Sequence, residues 1–228
     1  MGCDLAAYRP IVDRRNELIA IAVGLAVLVA GALVVDGGNV PGWEERLFHG
    51  INGLPDWLYP IVWPGNLLGA LVIVPIVAVL ALSVRRYWLA VAIVIAGVAK
   101  LVSERVVKAV VTRERPGTSV GSDIEARGDV SVSGESFVSG HAILVAAVAT
   151  VVAPYVPPRG RIALALIVAF VMFARIYVGA HNPLDVICGA ALGVALGAAI
   201  NVALGAPRQS RVTQQEVADA RPDDLRAF

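Results

Sequence analysis

Three ionisable residues lie close together in the stretch from Ala174 to Asp185, which runs Ala-Arg-Ile-Tyr-Val-Gly-Ala-His-Asn-Pro-Leu-Asp. They are Arg175, His181 and Asp185, and long apolar segments flank them on both sides. An ionisable side chain at the centre of a membrane-spanning helix costs roughly 2.5–3.5 kcal/mol on insertion scales, so such residues indicate function by default. The stretch is therefore the first candidate for a chemical site.

The local spacing also predicts how these side chains are held. Pro183 suits the first position of a helix and Asn182 suits its N-cap, which places Asp185 in the first helical turn. Asp185 then lies close enough to hold the imidazole ring of His181. A histidine oriented by a carboxylate, with an arginine beside it, is half of a phosphoryl-transfer site.

Two further clusters could supply the other half. Lys108 and Arg115 are seven residues apart, or two helical turns, so they can share one face of a helix. Ser139-Gly140-His141 opens an apolar run, and Ser139 is a natural N-cap there. The exposed amides at such a helix start form an anion site.

Each cluster also has an explanation that involves no chemistry. Lys108 and Arg115 could simply extend toward lipid headgroups at the membrane interface. Ser139 could be only a helix cap, with His141 a polar residue at the water boundary. Asp185 could be only the acidic partner in a capping arrangement with Asn182.

The combination favours chemistry over these separate explanations. If Lys108, Arg115 and Arg175 converge on one place, each pair at roughly 6 Å repels by about 3 kcal/mol at an effective dielectric near 20. A bound anion would relieve that repulsion, and two histidines beside it could transfer protons. The pattern therefore predicts a site for a phosphate group.

The composition is that of a membrane protein. Of the 228 residues, 57% are hydrophobic and only 16% are charged, whereas soluble domains average about 25% charged residues. The mean hydropathy is +0.74, and several apolar runs reach the roughly 20 residues that span a bilayer. The net charge of +1 shows no overall basic character, so no nucleic-acid partner is expected.

We predict an all-α fold: an integral membrane bundle of six transmembrane helices, with a short interfacial helix between helices one and two. Residues 39–56 carry Trp43, Leu47 and Ile51 near helical spacing, which is equally compatible with that interfacial helix and with a loop anchored by aromatic residues. Helix two is interrupted at Pro64-Gly65-Asn66, and residues 112–137 form a polar loop. The six predicted helices cover residues 17–35, 57–84, 87–111, 139–155, 162–178 and 183–204.

Six spans place both chain termini on one side of the membrane. The arginines on that side mark it as cytoplasmic, because cytoplasmic loops carry an excess of Lys and Arg. We therefore expect a multi-pass protein of the cell membrane with cytoplasmic termini and an extracytoplasmic site. Residues 1–206 form the membrane domain, and residues 207–228 form a polar cytoplasmic tail expected to be disordered. The arginines are Arg9, Arg14, Arg15, Arg85, Arg86, Arg159, Arg161, Arg208 and Arg211.

The three clusters together follow the order Lys-x6-Arg-Pro, Ser-Gly-His and Arg-x5-His-x3-Asp over residues 108–185. This order and spacing resembles the signature of the type 2 phosphatidic acid phosphatase superfamily, which includes membrane lipid phosphatases, soluble acid phosphatases and vanadium haloperoxidases. Two positions depart from the signature. Val138 stands where the second motif usually has proline, and Ala174 stands where the third usually has serine.

The resemblance implies a role for each residue. His181 would be the nucleophile that forms a phosphohistidine, and Asp185 would fix its tautomer. His141 would be the general acid for the leaving oxygen and would later help water to attack. No metal and no other cofactor is expected, because fixed cations would do the work of Mg²⁺. The phosphate-binding groups would be Lys108, Arg115, Arg175, Ser139 and Gly140.

The expected partner is a phosphorylated membrane lipid, since a site level with the headgroups suits an amphiphile whose tail stays in the bilayer. Undecaprenyl pyrophosphate, phosphatidylglycerophosphate, phosphatidic acid and a prenyl-linked sugar phosphate are the candidate substrates, and vanadate should inhibit as a phosphate mimic. A lipid-to-lipid phosphotransferase would use the same residues. The alternatives from other classes are a non-enzymatic scaffold or transporter, a metal site at His141, His181 and Asp185, and a haloperoxidase.

Overall fold

The computed structural model of the protein describes residues 11–207, and the fold is helical, as predicted. A short parallel pair, β1 (Ile11–Val12) with β2 (Ala206–Pro207), joins the two ends of this range. Beyond Pro207, the predicted tail lies outside the described residues, as do Arg9, Arg208 and Arg211. The helices are α1 (Arg14–Val35), α2 (Gly42–Asn52), α3 (Tyr59–Leu68), α4 (Ile73–Ser83), α5 (Tyr87–Val110), α6 (Pro116–Ser119), α7 (Gly140–Val152), α8 (Pro158–Tyr177) and α9 (Pro183–Leu204).

The helix ends follow the local sequence. α9 begins at Pro183 and ends at Leu204, as predicted. α1 begins earlier than predicted because Asp13 caps it, its carboxylate accepting from the backbone N–H of Arg15 at 3.1 Å. Between α1 and α3, α2 is a helix rather than a loop. It buries Glu44, Phe48 and Asn52 on one face.

The break in predicted helix two lies later than the sequence suggested. Pro64, Gly65 and Asn66 are inside α3, and the chain turns after Leu68. The segments Asp56–Leu68 and Ile73–Ser83 are bent by 68° relative to each other. Gly69 lies at this turn, and a Cβ there would come within 2.7 Å of the Cβ of His141. The absence of a side chain at Gly69 therefore allows the turn to pass close to α7.

Small residues set the packing of the bundle. α9 lies between α1 and α7. A Cβ on Gly189 would lie 2.7 Å from the carbonyl oxygen of Ser139, and one on Gly197 would lie 2.6 Å from the Cβ of Thr150. Glycines at these positions let the α7 and α9 backbones approach closely, as is common between membrane helices.

The outer surface of the bundle is apolar. Within residues 11–207, three segments are long and apolar enough to cross a bilayer: Arg14–Gly38, Pro158–Tyr177 and Pro183–Leu204. The bent pair around residues 69–72 makes a fourth if it crosses as one broken span, and Gly140–Tyr155 is a shorter apolar helix. Large apolar side chains also face outward, including Leu33, Val79, Val110 and Leu166. The protein is thus a helical membrane protein, with fewer spans by this measure than the six predicted.

Candidate active site

His181 and Asp185 form a buried pair at the start of α9. The Nδ1 atom of His181 lies 3.5 Å from Oδ2 of Asp185 and 3.3 Å from the hydroxyl oxygen of Ser136. The Ser136 hydroxyl also donates to Oδ2 of Asp185. Because these contacts are on the Nδ1 side of the ring, Nε2 is the nitrogen left for chemistry. The predicted proximity of the two side chains is therefore present in the structure.

Asp185 both caps its helix and holds the histidine. Its Oδ2 accepts from the backbone N–H of Asn182 at 2.8 Å, which is one half of a capping box. Its carbonyl oxygen accepts from the backbone N–H of Ser139 at 3.0 Å. The capping explanation and the chemical one are therefore compatible, and the same residue joins the start of α9 to the start of α7.

Arg113 and Glu44, which are not among the predicted site residues, support Asp185 through a chain of ion pairs. Nη1 of Arg113 donates to Oδ1 of Asp185 at 2.8 Å, and Nη2 donates to Oε2 of Glu44 at 2.6 Å. All three side chains have no exposed surface. Arg113 stands two residues before Arg115, so its place within the first motif was a local clue. Glu44 has no such signal, because its contact with Arg113 spans 69 residues.

A cavity of about 330 Å³ brings together three of the predicted site residues, Arg115, His141 and Arg175. Arg115 also donates through Nη1 to the carbonyl oxygen of Ala180 at 2.9 Å, beside His181. His181 is not among the residues that line the cavity, but it directly follows Ala180, which Arg115 contacts. The other lining residues are Tyr59, Trp63, Asn66, Arg127, Asp129, Val130 and Ser131.

Two of the predicted phosphate ligands have unpaired donors. Among the side chains of residues 12–205, the buried atoms without a hydrogen-bond partner include Nε of Arg175 and the hydroxyl of Ser139. The Nη1 atom of Arg175 is held by Oδ1 of Asn66 at 2.6 Å. Buried donors without an acceptor are costly in a fold, and an anionic oxygen is a suitable acceptor for either one. Of the two residues, Arg175 lines the cavity and Ser139 does not.

Lys108 lies in a separate ion-pair cluster and does not line the cavity. Its Nζ is 2.9 Å from Oε1 of Glu104, and the Nζ of Lys100 is 2.7 Å from Oε2 of the same carboxylate. A Cβ on Gly140 would lie 2.7 Å from the Cδ of Glu104. Glu104 of this cluster therefore lies against Gly140, the first residue of α7, whereas Lys108 is not brought beside Arg115 at the cavity.

Electrostatics keep the histidine of the pair neutral. Burial lowers the pKa of His181 to about 4; the hydrogen bond and the charge of Asp185 oppose this shift, and the charges of Arg175 and Arg115 add to it. A ring with this pKa is unprotonated at neutral pH and carries a free lone pair. It is suited to nucleophilic attack.

Arg127 attaches the polar loop of residues 112–137 to the rest of the fold. Its Nε donates to Asp56 at 2.8 Å, and its Nη1 donates to the carbonyl oxygens of Asn52 and Tyr177 at 2.6 and 2.8 Å. Nη2 donates to the carbonyl oxygen of Leu54 at 2.8 Å. The guanidinium also lies 4.3 Å from the ring centroid of Tyr177. These contacts make Arg127 a structural clamp at one wall of the cavity.

Other parts of the described chain offer less chemistry. A larger cavity, about 550 Å³, lies at the opposite end of the bundle and includes Asp13, Glu17, Thr150 and Arg161 in its lining. It contains none of the residues of the three motifs. Within residues 11–207, no group of three or more His, Cys, Asp or Glu side chains is arranged to hold a metal ion.

The arrangement can bind and transfer a tetrahedral oxyanion. The guanidinium groups of Arg115 and Arg175 and the imidazole of His141 line one cavity, and the residue after Ala180, which Arg115 contacts, is the neutral His181 held by Asp185. Fixed cations of this kind stabilise the charge that develops on transferring phosphoryl groups. Each of the three sequence motifs contributes one residue to the lining of this cavity, namely Arg115, His141 and Arg175.

Comparison with known proteins agrees with this geometry. The model of the PAP2 superfamily matches residues 85–207, which is more than half of the chain. No curated protein sequence matches. The crystal structure of Aquifex aeolicus LpxE is similar, with a TM-score of 0.65 and 22% identity, covering 72% of this chain and 98% of that chain.

A second solved structure is the first transmembrane PAP2-type phosphatidylglycerolphosphate phosphatase from Bacillus subtilis. It is similar with a TM-score of 0.66 and 23% identity, covering 80% of this chain and 94% of that chain. At these identities the two likenesses concern the fold. On the family match and the motifs gathered at the cavity, the chain belongs to the PAP2 superfamily.

Proposed function

We propose that this PAP2-superfamily enzyme is a lipid phosphatase that hydrolyses a phosphomonoester or pyrophosphate on a membrane lipid, through a phosphohistidine at His181. The observation that carries the proposal is that Arg115, which lines a cavity with Arg175 and His141, also contacts the carbonyl oxygen of Ala180, the residue before the His181 that Asp185 holds. A phosphatidylglycerolphosphate phosphatase among the fold neighbours supports a lipid substrate.

The first step is in-line attack on phosphorus. Nε2 of His181 forms a bond to phosphorus while the bond from phosphorus to the lipid oxygen breaks. Protonated His141 gives its proton to that leaving oxygen. Asp185 stabilises the positive charge that His181 acquires.

The second step regenerates the enzyme. Neutral His141 takes a proton from water, the oxygen of that water attacks phosphorus, and the bond between phosphorus and Nε2 breaks. Inorganic phosphate leaves and His181 is neutral again. Arg115 and Arg175, which line the cavity, hold the phosphoryl oxygens during both steps, and Lys108 is the third phosphate-binding cation that the motif implies. Ser139 and the Gly140 amide are the added donors, and no metal ion is needed.

The membrane placement of the site is part of the proposal. α1, the bent α3–α4 pair, α5, α7, α8 and α9 are the six spans, and α2 lies in the interface with Trp43 and Leu47 exposed. The β1–β2 pair joins the two ends of residues 11–207, which supports assigning both ends to one side. Arg161 lines a cavity with Val12 and Asp13, and Arg86 stacks on Tyr155, which supports the same side for these arginines. We assign this side to the cytoplasm and the site to the opposite, extracytoplasmic face.

The substrate class follows from that placement. Residues 1–206 form the phosphatase domain, and the candidate substrates are undecaprenyl pyrophosphate, phosphatidylglycerophosphate and phosphatidic acid. A phosphotransferase differs only in the acceptor, because an alcohol would replace water in the second step. The two functions separate by product: inorganic phosphate for the hydrolase, and a new phosphate ester for the transferase.

The test is phosphate release from these lipids in detergent with EDTA present. We expect the wild type to release phosphate and His181→Ala to be inactive. His49→Ala, at an exposed histidine of α2, is the matched control and should retain activity. His141→Ala should lose activity, because both steps need its proton transfer. Full activity of His181→Ala, or loss of wild-type activity with EDTA, would contradict the proposal.

A further inference from the structure

Arg113 joins two carboxylates that come from distant parts of the chain. Its Nη1 contacts Asp185 at the start of α9, and its Nη2 contacts Glu44 in α2, at 2.8 and 2.6 Å. The fork geometry of a guanidinium suits this bridging role, which an ammonium group does not reproduce. Arg113 therefore connects Glu44 of α2 to Asp185, the residue that holds His181.

Glu44 makes a second contact at the same place. Its Oε1 accepts from the backbone N–H of Leu184 at 2.7 Å, one residue before Asp185. Glu44 therefore holds both the guanidinium that contacts Asp185 and the backbone that carries Asp185. The carboxylate of Glu44 thus contacts both the guanidinium that binds the Asp185 side chain and the backbone N–H one residue before Asp185.

The buried group formed by Glu44, Arg113 and Asp185 carries more negative than positive charge. Glu44, Arg113 and Asp185 are fully buried, and two carboxylates with one guanidinium leave one negative charge. A buried charge is stable only with partners. The side of Asp185 that Arg113 does not contact faces His181, so the remaining negative charge is available to a positive imidazole ring.

We infer that Glu44 and Arg113 are positioning residues that hold Asp185 in place and keep the group negative, so that positive charge on His181 is stabilised. The inference rests on the function proposed above. Arg113 alone would neutralise Asp185, and Glu44 restores the negative charge. α2 is then part of the catalytic apparatus and not only an interfacial anchor.

Other charged groups also face His181 and set the background. Arg175 and Arg115 raise the positive potential at the ring, and His141 lies on the same cavity. Removing one negative charge from the far side of Asp185 should therefore favour the neutral ring further. Protonation of His181 would then require a lower pH.

The test compares Glu44→Gln with Glu45→Gln, its exposed neighbour on α2, on a short-chain phosphatidic acid in detergent. Outer partners of an active-site ligand typically contribute about 10–100-fold. We expect Glu44→Gln to lower kcat by about that factor with KM nearly unchanged, and to move the acid limb of the kcat/KM profile to lower pH. Glu45→Gln should match the wild type in both.

Two more variants separate charge from shape. Glu44→Asp keeps the charge but is one methylene shorter, so kcat should fall while the acid limb stays at the wild-type pH. Arg113→Lys keeps the charge but cannot contact both carboxylates, so it should also lose kcat. These variants carry the comparison if Glu44→Gln does not fold, which circular dichroism and a thermal melt would show.

The outcomes divide cleanly. An inactive wild type overturns the proposed function and this inference with it. An active wild type, an inactive His181→Ala and a Glu44→Gln indistinguishable from Glu45→Gln leave the proposed function standing and overturn the inference alone. A loss of kcat in Glu44→Gln that tracks the folded fraction, with the acid limb unmoved, also overturns it.

Discussion

Nη1 of Arg175 donates to Oδ1 of Asn66 at 2.6 Å, and this bond joins the last turn of α8 to α3 across the wall of the cavity. Both residues line the cavity. The bond fixes one end of the guanidinium and leaves Nε of Arg175 unpaired. Asn66 therefore orients the guanidinium group of Arg175, for which we propose a role in phosphate binding.

Asn66→Ala should weaken transition-state binding without unfolding the protein. A hydrogen bond to a charged group contributes about 1.5–3 kcal/mol, so kcat/KM should fall by roughly 10–100-fold as Arg175 loses its orientation. Steady-state kinetics on a short-chain lipid phosphate measure this. Asn39→Ala, at an exposed asparagine after α1, is the control, and equal activity of the two variants would refute the role.

The pH dependence of activity should report on His181. Burial lowers its pKa to about 4, against the opposing hydrogen bond and charge of Asp185. The unprotonated ring is the proposed nucleophile, so we expect activity to be retained as pH falls below the ordinary histidine value and to be lost as His181 protonates near pH 4. The kcat/KM profile between about pH 3.5 and 8 measures this limb. An acid limb from this group near 6.5 would contradict the prediction.

Gly69 should be intolerant of any side chain. A Cβ there would lie 2.7 Å from the Cβ of His141 and 2.8 Å from its Cδ2, so Gly69→Ala must displace His141, the proposed general acid. Misplacing a catalytic group by about 1 Å can cost around 100-fold, and we expect kcat to fall by roughly tenfold or more. Gly50→Ala in α2 is the matched control, because nothing lies within 4 Å of its Cβ. Wild-type kcat in Gly69→Ala would remove the constraint.

Lys108 and Lys100 flank the same carboxylate, and the motif assigns phosphate to Lys108 alone. Lys108→Ala should raise KM and lower kcat/KM by roughly 10–100-fold, as expected for a lost charged hydrogen bond. Lys100→Ala should have a small effect, because Lys108 still pairs with Glu104 at 2.9 Å. Kinetics of the two variants side by side, with thermal melts for stability, decide the point. Equal losses would show that the motif does not distinguish the two lysines.

Local sequence determined much of this protein. Apolar runs of bilayer length and their capping residues predicted most helices, and α9 has the predicted bounds. The spacing of His181 and Asp185 predicted them as neighbours, because His181 directly precedes the N-cap of α9 and Asp185 lies in the first turn of that helix. These features depend on residues close in the chain, so a pattern in the sequence reveals them.

Only the tertiary structure decided which side chains surround those residues. Glu44 lies 69 residues from Arg113, and Arg113 lies 72 from Asp185. Asn66 lies 109 residues from Arg175. No periodicity links such positions, since helix packing brings them together. The position of the break at Gly69 also depends on helix packing. Pro64 is a local signal for a kink, but the close approach of Gly69 to His141 exists only in the assembled bundle.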